Sequence, residues 1–154
     1  MAASLDRDLL LLLHDVARLQ RTHFDQRARE HGATRAQWVI LARLERQPGL
    51  SQNELAGILE VEPITVARLV DKLEARGLVE RRADPNDRRI WRLHNLPPAQ
   101  PVVDKITRYR AAMNDELLEG IAPEVRETLI DTLLSMKNYL TDAEAMKLSA
   151  VGSN

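Results

Sequence analysis

Apolar residues near the start of the chain fall at Leu5, Leu9, Leu12, Val16 and Leu19, spacings of four, three, four and three that place them on one face of a helix. Leu10, Leu11 and Leu13 widen that stripe almost all round, so the helix is expected to meet a second surface besides its own core. Gly32 predicts its end. Thr34-Arg35-Ala36-Gln37 then has the form of a capping box, in which each end residue's side chain satisfies the other's backbone N–H. The helix it opens carries Trp38, Leu41 and Leu44 and stops before Pro48-Gly49. Ser51-Gln52-Asn53-Glu54 is a second box, opening a short helix with Leu55, Ala56, Ile58 and Leu59. After a turn at Glu60 and Val61, Pro63 suits the first turn of another helix, where its missing N–H would be unpaired anyway. That helix is expected to bury Val66, Leu69, Val70 and Leu73 and to end at Gly77.

The rhythm then changes. A short strand, the charged turn Asp84-Pro85-Asn86-Asp87-Arg88-Arg89 and a second strand form a hairpin ending near Leu93. Pro97, Pro98 and Pro101 confine the start of the next helix, which carries Val102, Ile106, Tyr109, Met113 and Leu117. Pro123 opens a last helix with Val125, Leu129, Leu133, Met136 and Leu140 on one face, and the tail after Leu148 is expected to fray. The predicted fold is mostly α, with an α+β winged helix: one domain over 1–154, with a winged helix-turn-helix core at 34–96. The flanking helices, 4–31 and 98–149, carry more apolar surface than so small a core covers, which predicts a dimerisation layer.

Composition narrows the chemistry. Of 154 residues 44% are hydrophobic, but only two Trp, two Tyr and one Phe are present, so the core must be aliphatic. Cysteine is absent, which removes disulfides, thiolate zinc sites and thiol redox sensing. The leucine run Leu9 to Leu13 is far short of the roughly 20 residues a membrane span needs. It is also flanked by Asp6, Arg7, Asp8, His14 and Asp15, and no signal peptide is visible, so a cytoplasmic protein is expected. The formal net charge is -1, yet Arg76, Arg81, Arg82, Arg88, Arg89 and Arg92 face only Glu80, Asp84 and Asp87 in one span, a local +3 that leaves -4 elsewhere. That asymmetry favours a localised surface for a polyanion, and the geometry suits double-stranded DNA.

In a helix-turn-helix the second helix lies in the major groove and turns its outward side chains to base edges. Opposite the apolar stripe, the helix from Pro63 to Arg76 holds Thr65, Arg68 and Lys72. Arginine donates a fork of hydrogen bonds to guanine O6 and N7, which makes Arg68 the first candidate for base readout. Thr65 suits a base or a phosphate, while Pro63 and Ile64 suit thymine methyls. Ser51 and Gln52, at the start of the opposing helix, suit phosphates, because free N–H groups point outward there. In the hairpin, Asp87 has the chemistry to bond the turn or brace an arginine while Arg88 or Arg89 projects into a narrow, electronegative minor groove. Read otherwise, these cations are a solvated face and an ordinary polar hairpin.

The same residues resemble the MarR family of winged-helix transcription regulators. The resemblance is close over about residues 35–93 and most specific in Arg68-Leu69-Val70-Asp71-Lys72-Leu73-Glu74, in Gly77-Leu78-Val79-Glu80-Arg81 and in Asp84-Pro85-Asn86-Asp87-Arg88-Arg89. It implies a homodimer with interlocking terminal helices on a pseudo-palindromic operator. It also implies that Arg89 is the minor-groove residue with Asp87 supporting it, and that a repressor released by a small, often aromatic or phenolic, ligand is the usual behaviour. Such a ligand would lie between the winged helix and the helical layer, where His14, Arg18, Trp38 and Tyr109 are the candidates. Two departures stand out. Glu60 replaces the usual turn glycine, which makes a left-handed backbone less comfortable there, and His94-Asn95-Leu96-Pro97 replaces the usual Leu-Thr entry to the next helix.

Other chemistry finds little support. His14, His23, His31 and His94 form no i, i+4 pair for a metal, and no cofactor is implied. Glycine-rich phosphate loops and nucleophile elbows are missing, so an enzyme is not expected. Two alternatives to a ligand-responsive regulator are an effector-independent one and a winged helix that binds protein instead of DNA.

Overall fold

The computed structural model describes residues 7–151, without the side chains at 145 and 147–151. Leu5 and Asp6 therefore lie outside the described residues. In order, the elements are α1 (Leu9–Glu30), α2 (Arg35–Arg46), α3 (Gln52–Leu59), α4 (Pro63–Ala75), β1 (Val79–Ala83), β2 (Trp91–Asn95), a 3-10 turn (Pro97–Ala99), α5 (Gln100–Leu117) and α6 (Pro123–Val151). The predicted class holds: a mostly helical chain with one small antiparallel sheet. The last helix continues past Leu148 to Val151, further than the expected fraying point.

The helix ends follow local chemistry. Thr34 with Gln37, and Ser51 with Glu54, each form both bonds of a capping box. Asp8 caps α1 through the N–H of Leu11, a start the apolar spacing did not signal. Pro63 occupies the first turn of α4, and Gly77, at φ +68°, lets the chain leave that helix. Glu60 does adopt the left-handed conformation, at φ 55°, and is the non-glycine residue with positive φ among those described.

The chain packs as two compact units, Met1–Tyr109 and Arg110–Asn154. In the first, Trp38, Ile40, Leu41 and Leu44 of α2 meet Leu55 of α3, Val66, Val70 and Leu73 of α4, Val79 and Leu93 of the hairpin, and Val103 and Ile106 of α5. Leu69, expected in the core, is half-buried, and Ile58 is exposed. From α1 the core takes Ala28 alone among the described residues, with Phe24 packed against it. The leucine stripe of α1 lies upstream of that contact and is exposed: Leu9, Leu10, Leu11, Leu12, Val16 and Leu19 are between 45% and 71% accessible. In the second unit Val125, Leu129, Leu133 and Leu140 of α6 are exposed as well. No described helix is long and apolar enough to cross a membrane.

The hairpin pairs Val79 with Asn95, Arg81 with Leu93 and Ala83 with Trp91. Its base is fastened to the chain before α3, where the Leu93 N–H donates to Leu50 O at 3.0 Å and the Gly49 N–H to Leu93 O at 2.9 Å. The Asn95 amide donates to Leu41 O at 2.9 Å. The unusual exit from the wing is thus absorbed by β2 and a 3-10 turn, and α5 begins at Gln100.

Candidate nucleic-acid interface

Helix α4 has two unlike sides. Val66, Val70 and Leu73 are fully enclosed, while Thr65, Arg68 and Lys72 are exposed. Arg68 and Lys72 form no ion pair or side-chain hydrogen bond with any described residue, so their charge faces outward uncompensated. Pro63 and Ile64 are exposed at the amino end of the same helix.

The wing tip is built around two aspartates. Asp84 Oδ1 accepts from the N–H groups of Asn86 at 2.7 Å and Asp87 at 3.0 Å, and its other oxygen from Arg92 Nε at 2.7 Å. The Arg92 bond, followed by the two backbone bonds, holds the Asp84 carboxyl below the usual aspartate range. Asp87 accepts from the Arg89 backbone N–H at 3.0 Å, from its Nε at 3.1 Å and from Nη2 at 3.0 Å. That fork lowers the Asp87 pKa and raises that of Arg89. Asp87 thus takes both roles its chemistry allowed, bonding the turn backbone and bracing an arginine. Arg89 is oriented yet 89% accessible. Arg88 is exposed and has no ion pair among the described residues.

The other wing arginines behave differently, and here the count of local charge misled. Arg81, only 19% accessible, donates to Gln52 Oε1 at 3.1 Å, to Asp71 at 2.6 Å, to Ala67 O at 3.4 Å and to Glu74. Arg82 pairs with Glu80, and Arg92 with Asp84 and with Glu54 at 3.1 Å. Glu54 is held below its usual range first by the Ser51 backbone N–H and, against the opposing effect of burial, by the Ser51 hydroxyl and Arg92. Arg81 and Arg92 are therefore structural, not presented, while Arg82, paired within its own strand, stays 58% accessible. One signal was available: Arg81 lies two residues past the buried Val79, on the inward side of a strand, and Asp71 and Glu74 sit three apart on α4.

Gln52 and Ser51 are also partly committed. The Gln52 oxygen receives Arg81, leaving its amide N–H groups as donors, and Ser51 Oγ receives the Glu54 N–H at 3.2 Å. With Arg89, Trp91 and Arg92 they line a groove of about 250 Å³ between the start of α3 and the wing.

The four ligand candidates separate. Trp38 and Tyr109 come together edge-on, ring centres 6.4 Å apart, with Phe24 against Tyr109 and the Arg27 guanidinium 5.3 Å from its ring centre. Trp38 stacks on His31 and closes one side of a cavity of about 160 Å³ lined also by Gln37, Leu73, Arg76 and Lys105. His14 and Arg18 do not line this cavity. His14 lies 14 residues before Ala28, or about 21 Å along the helix at 1.5 Å per residue, and Arg18 pairs with Asp15 in solvent.

A buried three-helix core, an outward cationic second helix and a two-stranded wing define a winged helix-turn-helix protein. Residues 33–91 match the model of the MarR family. The transcriptional regulator PA3341 is 32% identical, with 88% of this chain and 99% of that one aligned and a TM-score of 0.77. MarR is 27% identical over 94% and 99%, at 0.79. A putative MarR family transcriptional regulator from Listeria monocytogenes, complexed with 26mer DNA, is 25% identical over 88% and 91%, at 0.76. The chain belongs to the MarR family of transcriptional regulators.

Proposed function

We propose that this regulator binds double-stranded DNA as a homodimer, with α4 in the major groove and the wing in the minor groove of each half of a pseudo-palindromic operator. The observation that carries the reading is the contrast between paired and unpaired cations on α4 and the wing. Arg68 and Lys72 stand uncompensated, and Arg89 is braced by Asp87 while almost fully exposed. Arg68 reads a base, Thr65 and Lys72 flank it, and Ser51 and Gln52 hold phosphates through the donors left to them. Arg89 enters the minor groove, and Arg88 beside it meets the backbone. A similar regulator complexed with 26mer DNA supports DNA as the partner.

The second copy is called for by the exposed leucines of α1 and the exposed face of α6. Single soluble chains rarely leave contiguous apolar patches beyond a few hundred Å² uncovered. Helices 4–31 and 98–149 serve as the dimerisation layer around the 34–96 core, and the dimer spaces two recognition helices about 34 Å apart. The protein acts in the cytoplasm as a repressor, without catalysis of its own. The cavity beside Trp38, rimmed by Arg76 and Lys105, has the size and sign for a one-ring aromatic or phenolic anion that alters this spacing.

The test is binding at physiological salt to DNA upstream of the protein's own gene, against random duplex. Arg89→Ala is expected to weaken specific binding about tenfold or more, the scale of a hydrogen bond to a charged group. Unchanged affinity would remove the wing from the reading.

A further inference from the structure

The start of α4 carries chemistry that the cationic face leaves unexplained. Ile64 is 61% accessible and Val61 39%, and Pro63 between them is exposed too. No side chain among these three donates a hydrogen bond, and Pro63 lacks even its backbone N–H. Helix starts that receive phosphates do so through free N–H groups, so this one is poorly equipped for that role. The flanking charges point the same way. Glu60 and Glu62 are both exposed, Glu62 forms no side-chain cap bond, and no lysine or arginine occurs from Gln52 to Ala67. An acidic, apolar tip is repelled by phosphate. Yet it is continuous with Thr65 and Arg68, one turn further along the same helix. Over base edges, the apolar group a duplex offers in its major groove is the 5-methyl of thymine.

We propose that Ile64, at the exposed apolar start of α4, is a specificity-determining residue that reads one thymine methyl in each half-site. The proposal rests on the DNA-binding reading above and adds the chemical group recognised. Because Ile64 lies mostly in solvent, its truncation tests recognition with little effect on folding.

The probe is a duplex recovered from a randomised library by the wild-type protein. Each thymine in it is replaced in turn by uracil, which deletes the methyl and keeps the base pair. One thymine per half-site is expected to matter, with about fourfold loss of affinity per exchange, the scale of one buried methyl. Ile64→Ala should bind the thymine and uracil duplexes equally, Ile64→Val should discriminate partly, and Arg68→Ala should keep the discrimination. The proposal is overturned if no exchange moves wild-type affinity by more than about twofold, the result expected of a tip that docks protein instead. Retained discrimination by Ile64→Ala overturns it too. Recovery of no preferred sequence by the wild type would overturn both this proposal and the DNA reading beneath it.

Discussion

Helix α4 and the wing both carry cations, but they hold them differently. On α4, Arg68 and Lys72 have no partner among the described residues. On the wing, Arg81, Arg82, Arg89 and Arg92 each meet a carboxylate. The reason lies in what each element needs to keep its shape. A helix satisfies its backbone internally and is fixed by the buried side formed by Val66, Val70 and Leu73. A two-stranded hairpin is marginal by itself and needs fastening to the body. Arg81 fastens it to α3 and α4, Arg92 to the segment before α3, and the two aspartates shape its tip. Charge written in a sequence is therefore not the same as charge presented to a partner.

The largest effects should separate the two kinds of arginine. Arg68→Ala is expected to lower operator affinity by about 1–3 kcal/mol, roughly fivefold to 150-fold, with a urea midpoint close to wild type. Arg81→Ala should do the reverse first, lowering stability by about 2 kcal/mol as Asp71 and Glu74 lose their partner. A wild-type midpoint for Arg81→Ala would break the contrast. Next in size is the turn between the two helices. Glu60→Gly removes the cost of a left-handed backbone on a side-chain-bearing residue and should stabilise the chain by about 1 kcal/mol in the same denaturation. A loss of stability would show that the Glu60 side chain contributes more than its strain costs.

The smallest effect is in pH and confined to the wing. The Asp84 and Asp87 carboxyls sit below their ordinary range, held first by Arg92 and Arg89 respectively. Their contribution is complete above the unfolded aspartate value of about 4 and is lost as pH falls through the lowered folded values. The amide resonances of Asn86 and Asp87, both bonded to Asp84, should move together in that acid window, and Asp84→Asn should abolish the shared titration. Independent movement would separate the tip from the Arg92 pair.

Much of this was legible in the chain. Both capping boxes, Pro63 at a helix start and Gly77 at its end are local chemistry, and each governs the backbone within one turn. The unpaired face of α4 was legible too, because helical periodicity alone sets Thr65, Arg68 and Lys72 opposite the valines and Leu73. His14 and Arg18 lie away from the cavity beside Trp38 because periodicity says which side of α1 a residue occupies, not where along its length the core ends. Gln52 looked free for phosphate because its partner Arg81 is 29 residues away in sequence.

The sequence by itself determined the order of elements, both capping boxes, the winged class and the outward residues of α4, since these follow from spacing and short-range bonding. Only the tertiary structure decided which arginines remain available. Ion pairs such as Arg92 with Glu54 join segments 38 residues apart, and no local pattern brings them together. Of the six arginines from Arg76 to Arg92, Arg81 and Arg92 are braces within the fold, and Arg89 is exposed but oriented by Asp87.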